Sequence, residues 1–164
     1  MLSFFRKKQD THTDRFTLKA FLTGKVIPIK DVKDPVFSTG MLGDGLAIEP
    51  NSEWILAPCD GIISTVMEDS RHAVGITAPN GMELLIHEGI DTVSLQGEGF
   101  TLYVKEGDCV KTGDKLIHFD ASLIRSKGYP VTCILVVTNS DNFPDMQLFT
   151  GMEAVAGETV VAKC

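Results

Sequence analysis

The sequence predicts an all-β protein, a small antiparallel β-sandwich or barrel with one or two short helices. From about residue 16 onward, short apolar runs rich in β-branched residues are separated by Gly, Asp, Asn and Pro, which form turns. The chain has 164 residues, 43% hydrophobic and 23% charged, which suits one domain with a substantial core. We therefore expect a flexible N-terminal tail over residues 1–15 and a single domain over residues 16–164.

The apolar runs bounded by turn residues predict the strands. They lie at 25–29, 54–57, 61–67, 72–77, 82–87, 101–104, 115–119, 131–138 and 159–163. One stretch, "DASLIRSKG" at 120–128, is typical of a helix of about two turns. Its Asp120 can cap the first turn and its Gly128 can end the helix.

Composition and charge exclude several classes of function. The apolar runs are too short to cross a bilayer, and no secretory signal opens the sequence, so we expect a cytoplasmic protein. A formal net charge of −7 argues against nucleic acid as a partner. The 4 cysteines form no CxxC pair, which argues against a disulfide framework or a zinc knuckle.

The first ten residues, "MLSFFRKKQD", combine apolar and basic side chains. Such a pattern is compatible with weak contact to an acidic membrane surface through a short amphipathic segment. Ten residues make only a marginal helix, so a loose tail is the favoured interpretation.

Two stretches share a pattern of short strands and tight turns, "WILAPCDGIISTV" at 54–66 and "VKEGDCVKTGDKLIHF" at 104–119. The second resembles biotinyl and lipoyl carrier domains, whose two halves meet in a small β-barrel or sandwich, the duplicated hybrid motif. Those domains carry their cofactor on a lysine at a hairpin tip, whereas Lys111 and Lys115 flank an ordinary "TGD" turn. The resemblance therefore implies a fold and not a function.

A predicted hairpin, "HAVGITAPNGMELLIHEG" at 72–89, begins and ends near a histidine. A two-residue turn at Asn80–Gly81 or a loop spanning 78–81 places His72 and His87 on the same face of the sheet. The Cβ atoms of such cross-strand or diagonal neighbours lie roughly 4.5–8 Å apart. Only a three-residue loop would separate the two rings onto opposite faces.

Paired imidazoles at the end of a hairpin have three interpretations. They can bind a metal, they can serve as nucleophile and supporting donor in group transfer, or they can be two polar residues at a strand end. Two nitrogens fill only half of a tetrahedral zinc site, so we expect neither a resident metal nor a cofactor.

The segment "GMELLIHEGIDTV" at 81–93 resembles the active-site signature of the glucose-type enzyme IIA of the bacterial phosphoenolpyruvate-dependent sugar phosphotransferase system. Further segments follow the order and spacing of that family, and the resemblance covers nearly all of residues 20–163. They are "VFSTGMLGDGLAIEP" at 36–50, "APCDGIIS" at 57–64, "HAVGI" at 72–76, "LQGEGF" at 95–100 and "GDCVKTGDKLIHFD" at 107–120.

The resemblance implies a phosphoryl relay. His87 corresponds to the phosphorylated histidine and His72 to the second active-site histidine. His87 would accept a phosphoryl group from the phosphohistidine of the phosphocarrier protein HPr and pass it to a cysteine of enzyme IIB for sugar uptake. A neutral imidazole suits this step, because its unperturbed pKa of about 6.5 leaves a nucleophilic nitrogen near pH 7.

Three further residues near the histidines are candidates for supporting roles. Ser70 is expected to fix the tautomer or orientation of His72, although it also suits a plain turn. Backbone N–H groups at the Gly89 turn are expected to hold phosphoryl oxygens. Asp91 is expected to orient a basic partner, the alternative being a turn-capping aspartate.

A relay also needs an apolar surface that a partner can cover to exclude water. Candidates are Val36, Phe37, Met67 and Val74, each of which could equally belong to the core. Glu88 stands where the family usually has an apolar residue. Its carboxylate would oppose phosphate on His87 if it faced the site, or would contact the partner if it pointed away.

Two alternative functions remain at this point. A zinc peptidase of the lysostaphin type would need an HxxxD segment and a later HxH pair; the fourth residue after His72 is Ile76, and no HxH pair occurs. A binding module that has lost the relay and regulates partners by docking alone is supported by Glu88. A further histidine, His118 within "LIHF", has no second histidine or acid beside it and suits a structural role.

Overall fold

A computed structural model describes residues 15–164 of the chain. The expected N-terminal tail, with its proposed membrane contact, lies outside the described residues except for residue 15. Antiparallel β-strands dominate residues 15–164, with two short α-helices and three 3-10 turns. The predicted all-β class is confirmed.

The structure assigns these bounds to the strands and helices. They are β1 (Thr17–Lys19), β2 (Gly24–Pro28), α1 (Pro35–Ser38), β3 (Asp44–Pro50), β4 (Trp54–Leu56), β5 (Gly61–Val66), β6 (Ala73–Thr77), β7 (Glu83–Glu88), β8 (Phe100–Leu102), β9 (Cys109–Val110), β10 (Lys115–Phe119), α2 (Ala121–Ser126), β11 (Cys133–Val137), β12 (Gln147–Leu148), β13 (Glu153–Ala154) and β14 (Val160–Lys163).

The strands form three sheets around one main core. An eight-stranded sheet has the order β13-β2-β3-β11-β7-β6-β5-β9, and two three-stranded sheets have the orders β1-β14-β12 and β4-β10-β8. The main core draws buried apolar side chains from all three sheets, including Leu18, Ile86 and Ile117. The large sheet therefore packs with one face against the two smaller sheets, as in a sandwich.

A second, smaller apolar cluster covers the other face of the large sheet. Along β11, Leu135 belongs to the main core while Ile134 and Val136 belong to the second cluster, as the alternation of strand side chains requires. The second cluster is closed by Ile29 and Phe37, from the segment between β2 and β3. His87 lies on this face, because its strand neighbour Ile86 faces the main core.

The sequence did not predict β3, which is central to the large sheet between β2 and β11. Its segment is rich in Gly, Asp and Pro, residues that ordinarily indicate loops. Gly45 is needed here, because a Cβ atom at that position would overlap the carbonyl oxygen of Leu135 on β11. The other missed elements are two- to four-residue segments, namely β1, β9, β12, β13 and α1.

The β6–β7 hairpin differs from both registers that would have placed its histidines on one face. Ala73 pairs with His87, and the Ala78 N–H donates to the Met82 carbonyl at 2.9 Å, which leaves a three-residue loop over 79–81. Gly81 allows this loop through its positive φ of 90°. The predicted registers are therefore wrong, and the histidines meet for another reason.

No helix among residues 15–164 is both long enough and apolar enough to span a bilayer.

Candidate functional site

The two histidines lie against each other although the strand register alone would separate them. Their ring centroids are 4.6 Å apart and the ring planes are nearly perpendicular, at 89°. His72 immediately precedes β6, so strand alternation does not fix the direction of its side chain. The turn before it closes with the Arg71 N–H donating to the Met67 carbonyl at 2.7 Å, and Arg71 has a left-handed φ of 55°.

Backbone hydrogen bonding joins the two histidines at the open end of the hairpin. The Glu88 N–H donates to the His72 carbonyl at 2.7 Å, one residue beyond the Ala73–His87 pair. The carbonyl of Glu88 accepts a hydrogen bond from the Thr92 hydroxyl, and Thr92 is fully buried. The site is therefore built on paired strand ends and not on a free loop.

His72 is held as a neutral, buried imidazole. Its side chain is only 3% exposed, and its Nδ1 lies 2.7 Å from the Ser70 hydroxyl. Burial, and then the charge of a protonated His87, lower the pKa of His72 to about 4. This contact is what we would expect if the Ser70 hydroxyl fixes the orientation of the His72 ring.

His87 is half-buried, and the Phe37 ring packs on it with centroids 5.0 Å apart. Burial lowers the pKa of His87 below its ordinary value. The Gly89 backbone raises the pKa and so opposes this shift. The negative charges of Asp34 and Asp91 raise it by smaller amounts. The buried Nδ1 of His87 makes no hydrogen bond of acceptable geometry within the described structure, so the Gly89 carbonyl acts on the ring as a nearby dipole.

Asp34 is a residue of the site that the sequence interpretation missed. It caps α1, where its carboxylate accepts from the Val36 N–H at 3.0 Å and Pro35 occupies the first helical position. An Asp-Pro pair is a recognisable helix start, so "KDPVF" contained the signal. This short helix places Phe37 on His87 and a carboxylate near it.

The Gly89 turn does not provide the donor that the sequence suggested. The Gly89 N–H donates to the Thr132 carbonyl at 2.9 Å, and the next N–H, of Ile90, donates to the Pro130 carbonyl at 3.2 Å. The expected role of the Gly89 amide in holding phosphoryl oxygens is therefore wrong. Glycine is required for the backbone itself, because φ is 78° and a Cβ would collide with Thr92.

Asp91 is exposed at the edge of the site. It has a left-handed φ of 60° and precedes a 3-10 turn, but its side chain makes no capping hydrogen bond to that turn. The turn-capping alternative is thus not what the structure contains. Its carboxylate is free to face a basic partner.

The expected docking surface needs two corrections. Val36 and Met67 are exposed, whereas Val74 and Glu88 are completely buried and cannot contact a partner. Both were misjudged because β6 and β7 are interior strands of the large sheet, covered on each face. Phe37 is also buried, and it contributes by packing on the His87 ring.

The sequence interpretation also missed Val93, which is 54% exposed. Together with Met67 and Ser70 it lines an open groove of about 750 Å³ that reaches the segment before His72. No periodic pattern marks Val93, because it lies in a short 3-10 turn. Exposed apolar side chains thus lie in the segments next to the site: Val36 precedes Phe37, and Met67 and Val93 share a groove with Ser70.

Glu88 lies on the opposite face of β7 from His87, pointing into the main core beside Cys133 of β11. Both of its carboxyl oxygens are buried without a hydrogen-bond partner among the described residues. Burial raises the pKa of Glu88 well above its ordinary value of 4.5. The side chain therefore faces away from the site, and the idea that a Glu88 carboxylate beside His87 opposes phosphate is wrong.

Residues 15–164 contain no group of three or more His, Cys, Asp or Glu side chains arranged to hold a metal ion. His118 pairs across the strands with Trp54, and their rings lie 4.6 Å apart in a separate sheet.

The depressed pKa of His72 predicts a pH dependence of stability. Between about 6.5 and about 4, the unfolded chain binds the proton that folded His72 does not, so lowering the pH through this window destabilises the fold. The stability that neutral His72 contributes is fully present above about pH 6.5.

We expect the ring ¹⁵N shifts of His72 to stay those of a neutral imidazole down to pH 5. We also expect His72→Gln to flatten the curve of unfolding free energy against pH. Protonation of His72 near pH 6.5 would contradict this account.

Comparisons with known proteins agree with the resemblance seen in the sequence. A family model described as "phosphoenolpyruvate-dependent sugar phosphotransferase system, EIIA 1" matches residues 16–143. A glucose-specific EIIA component of Bacillus cereus is 45% identical over 151 residues, covering 92% of this chain and 91% of that protein. A mannose-specific EIIBCA component of Corynebacterium glutamicum is 43% identical over 140 residues, covering 85% of this chain and 20% of that one. The solved glucose permease IIA from Mycoplasma capricolum is 34% identical, covers 99% of each chain and has a TM-score of 0.78. The chain therefore belongs to the EIIA 1 family of the phosphoenolpyruvate-dependent sugar phosphotransferase system.

Proposed function

We propose that this protein relays a phosphoryl group through His87, accepting it from phosphorylated HPr and passing it to a cysteine of enzyme IIB. The observation that carries the proposal is the pair of neutral imidazoles with centroids 4.6 Å apart, one half-buried and one buried. Transfer between two nucleophiles needs positioning and charge stabilisation more than it needs an acid or a base. A preorganised pair of rings offers both.

We assign Nε2 of His87 as the nucleophile. Nδ1 is buried, so Nε2 is the ring nitrogen that a partner can reach. A proton on Nδ1 would leave the lone pair on Nε2. In the transfer, the phosphorus–nitrogen bond to His87 forms as the phosphorus–nitrogen bond to the histidine of HPr breaks. In the second step, the phosphorus–nitrogen bond to His87 breaks as a phosphorus–sulfur bond to the cysteine thiolate of enzyme IIB forms, which returns His87 to its neutral form.

His72 is the supporting donor in this proposal. If the Ser70 hydroxyl donates to Nδ1, the proton of neutral His72 resides on Nε2, where it can donate to a phosphoryl oxygen. A pKa of about 4 keeps the ring neutral at neutral pH. Ser70 thus positions His72, and His72 stabilises the charge on the transferred group.

The surroundings of the pair suit transient partners. A partner can cover the exposed side chains of Val36, Met67 and Val93 and so exclude water. Asp34 and Asp91 place negative charge near His87, which would attract a basic donor.

The Corynebacterium relative is named for B, C and A units in one chain, which supports enzyme IIB as the acceptor. The names of the Bacillus and Mycoplasma proteins favour glucose as the sugar. Such a relay would operate in the cytoplasm.

The alternative functions have weaker support. A docking module without relay activity was suggested by Glu88, which faces the core and leaves the histidine pair undisturbed. A zinc peptidase of the lysostaphin type would need a metal-binding cluster that residues 15–164 do not provide. Neither alternative accounts for the perpendicular pair of neutral imidazoles.

Replacing the nucleophile tests the proposal most simply. We expect His87→Ala to abolish acceptance of a radiolabelled phosphoryl group from phosphorylated HPr while the circular dichroism spectrum is retained, because the half-buried ring lies at a strand end. The matched control is His118→Ala, which removes another half-buried histidine from a different sheet and should leave acceptance intact. Acceptance by the His87→Ala protein would remove His87 from the mechanism.

A second substitution separates the two half-reactions. We expect His72→Gln to accept a phosphoryl group from HPr but to donate it to enzyme IIB about 10²–10³-fold more slowly, because one preorganised donor is lost. Single-turnover rates for each step, measured on the same phosphorylated preparation, check this. An equal loss in both steps would show that His72 has no separate role in donation.

A further inference from the structure

The buried carboxyl group of Glu88 has no role in the relay as proposed. Its side chain is 0% exposed in the main core, and neither carboxyl oxygen has a hydrogen-bond partner within residues 15–164. Cys133 lies directly opposite on β11 and is equally buried. The Cys133 thiol lowers the pKa of Glu88, but burial is the larger effect, so the protonated acid is favoured in the folded state.

The charged and titratable groups near Glu88 come from the elements packed around it. Cys133 lies opposite Glu88 on β11. Burial raises the pKa of the Glu88 carboxyl and of the Cys133 thiol well above their ordinary values. Glu49 of β3 opposes ionisation of Glu88, while Arg125 of α2 favours it. Glu49 and Arg125 also line a cavity of about 310 Å³ at this end of the sheet, with Thr132 donating to Glu49 at 2.6 Å.

The same residue forms the backbone link beneath the histidine pair. Its N–H donates to the His72 carbonyl at 2.7 Å, and its carbonyl accepts from the buried Thr92 hydroxyl. The preceding residue is His87 itself. Movement of the Glu88 side chain out of the core would therefore have to move the peptide that holds both histidines in place.

We infer that Glu88 is a buried pH switch. The protonation state of its side chain in the main core controls the geometry of the histidine pair on the other face of the sheet. While protonated, the carboxyl stays in the core and the Glu88 N–H keeps His72 against His87. On ionisation the carboxylate leaves its site beside Cys133, drawn toward the Arg125 guanidinium and water, and the link between the two strand ends loosens. The step is the loss of one proton from the carboxyl group to solvent.

The sign of the effect on stability follows from proton counting. Folded Glu88 holds a proton that the unfolded chain has released above about pH 4.5, so raising the pH destabilises the fold. The stability contributed by this proton is complete below about 4.5 and is lost as the pH rises through the folded pKa. Each pH unit in that window multiplies the unfolding constant by up to about tenfold, relative to a variant that cannot ionise at this position.

The switch predicts a local response as well as a global one, and amide hydrogen exchange separates them. We expect the Glu88 amide to lose protection faster with rising pH in the wild-type protein than in Glu88→Ile, after correction for the intrinsic exchange rate. The Leu135 amide, in the middle of the neighbouring β11, should show only the loss of protection that follows from the fall in global stability, and therefore a smaller difference than the Glu88 amide. Glu88→Gln should behave like Glu88→Ile, because neither side chain ionises. Glu83→Gln is the matched control on the same strand, since Glu83 is half-buried and accepts from Thr77, and it should follow the wild type.

The titration of Glu88 itself needs no variant. We expect the side-chain carboxyl ¹³C shift of Glu88 to be that of a protonated acid at pH 7. An ionised carboxyl at pH 7, or identical pH dependence of the Glu88 amide in the wild type and Glu88→Ile, would overturn the inference. Both measurements are made without phosphoryl transfer, so they remain decisive even if the proposed relay fails. If the relay holds, transfer by the wild type should decline at alkaline pH more steeply than transfer by Glu88→Ile.

Discussion

The hydrogen bond from the Glu88 N–H to the His72 carbonyl is the constraint on which the site depends. It closes the open end of the β6–β7 hairpin, where the regular ladder has its last pair at Ala73 and His87. Without this bond, His72 would belong to the turn before β6, and nothing in the strand register would bring its ring to His87. The large sheet supports this junction from both sides, because β7 lies between β6 and β11.

Two opposing effects set the chemistry of the paired rings. Burial lowers the pKa of both histidines, so each is neutral at physiological pH, as a nucleophile and a hydrogen-bond donor need to be. The Gly89 carbonyl and the acids Asp34 and Asp91 limit this effect at His87. The more accessible ring therefore keeps more of its basicity than the buried ring. In the proposed relay, this difference in position would make His87 the nucleophile and His72 the supporting donor.

The sequence predicted the fold class, most of the longer strands and the closeness of the two histidines, because those depend on local patterns and on a recognisable family signature. It missed β3, since the glycines that let β3 approach β11 also resemble loop residues. It left open whether Val74 lies in the core and did not predict the burial of Glu88, because burial on both faces of a central strand depends on the segments that cover the sheet. The hairpin register was also misjudged, as a three-residue loop and a two-residue turn have similar sequences around Gly81. Nothing in the sequence indicated that Glu88, an acidic residue directly after His87, would be fully buried.

The central claim is that burial of Nδ1 leaves Nε2 of His87 as the atom that carries the phosphoryl group. The most direct measurement is ³¹P–¹⁵N scalar coupling in protein labelled with ¹⁵N-histidine and phosphorylated by phosphorylated HPr. The account predicts a single phosphorus bonded to Nε2 of His87, with His72 unmodified and neutral. Phosphorus bonded to Nδ1 of His87, or to either nitrogen of His72, would contradict it.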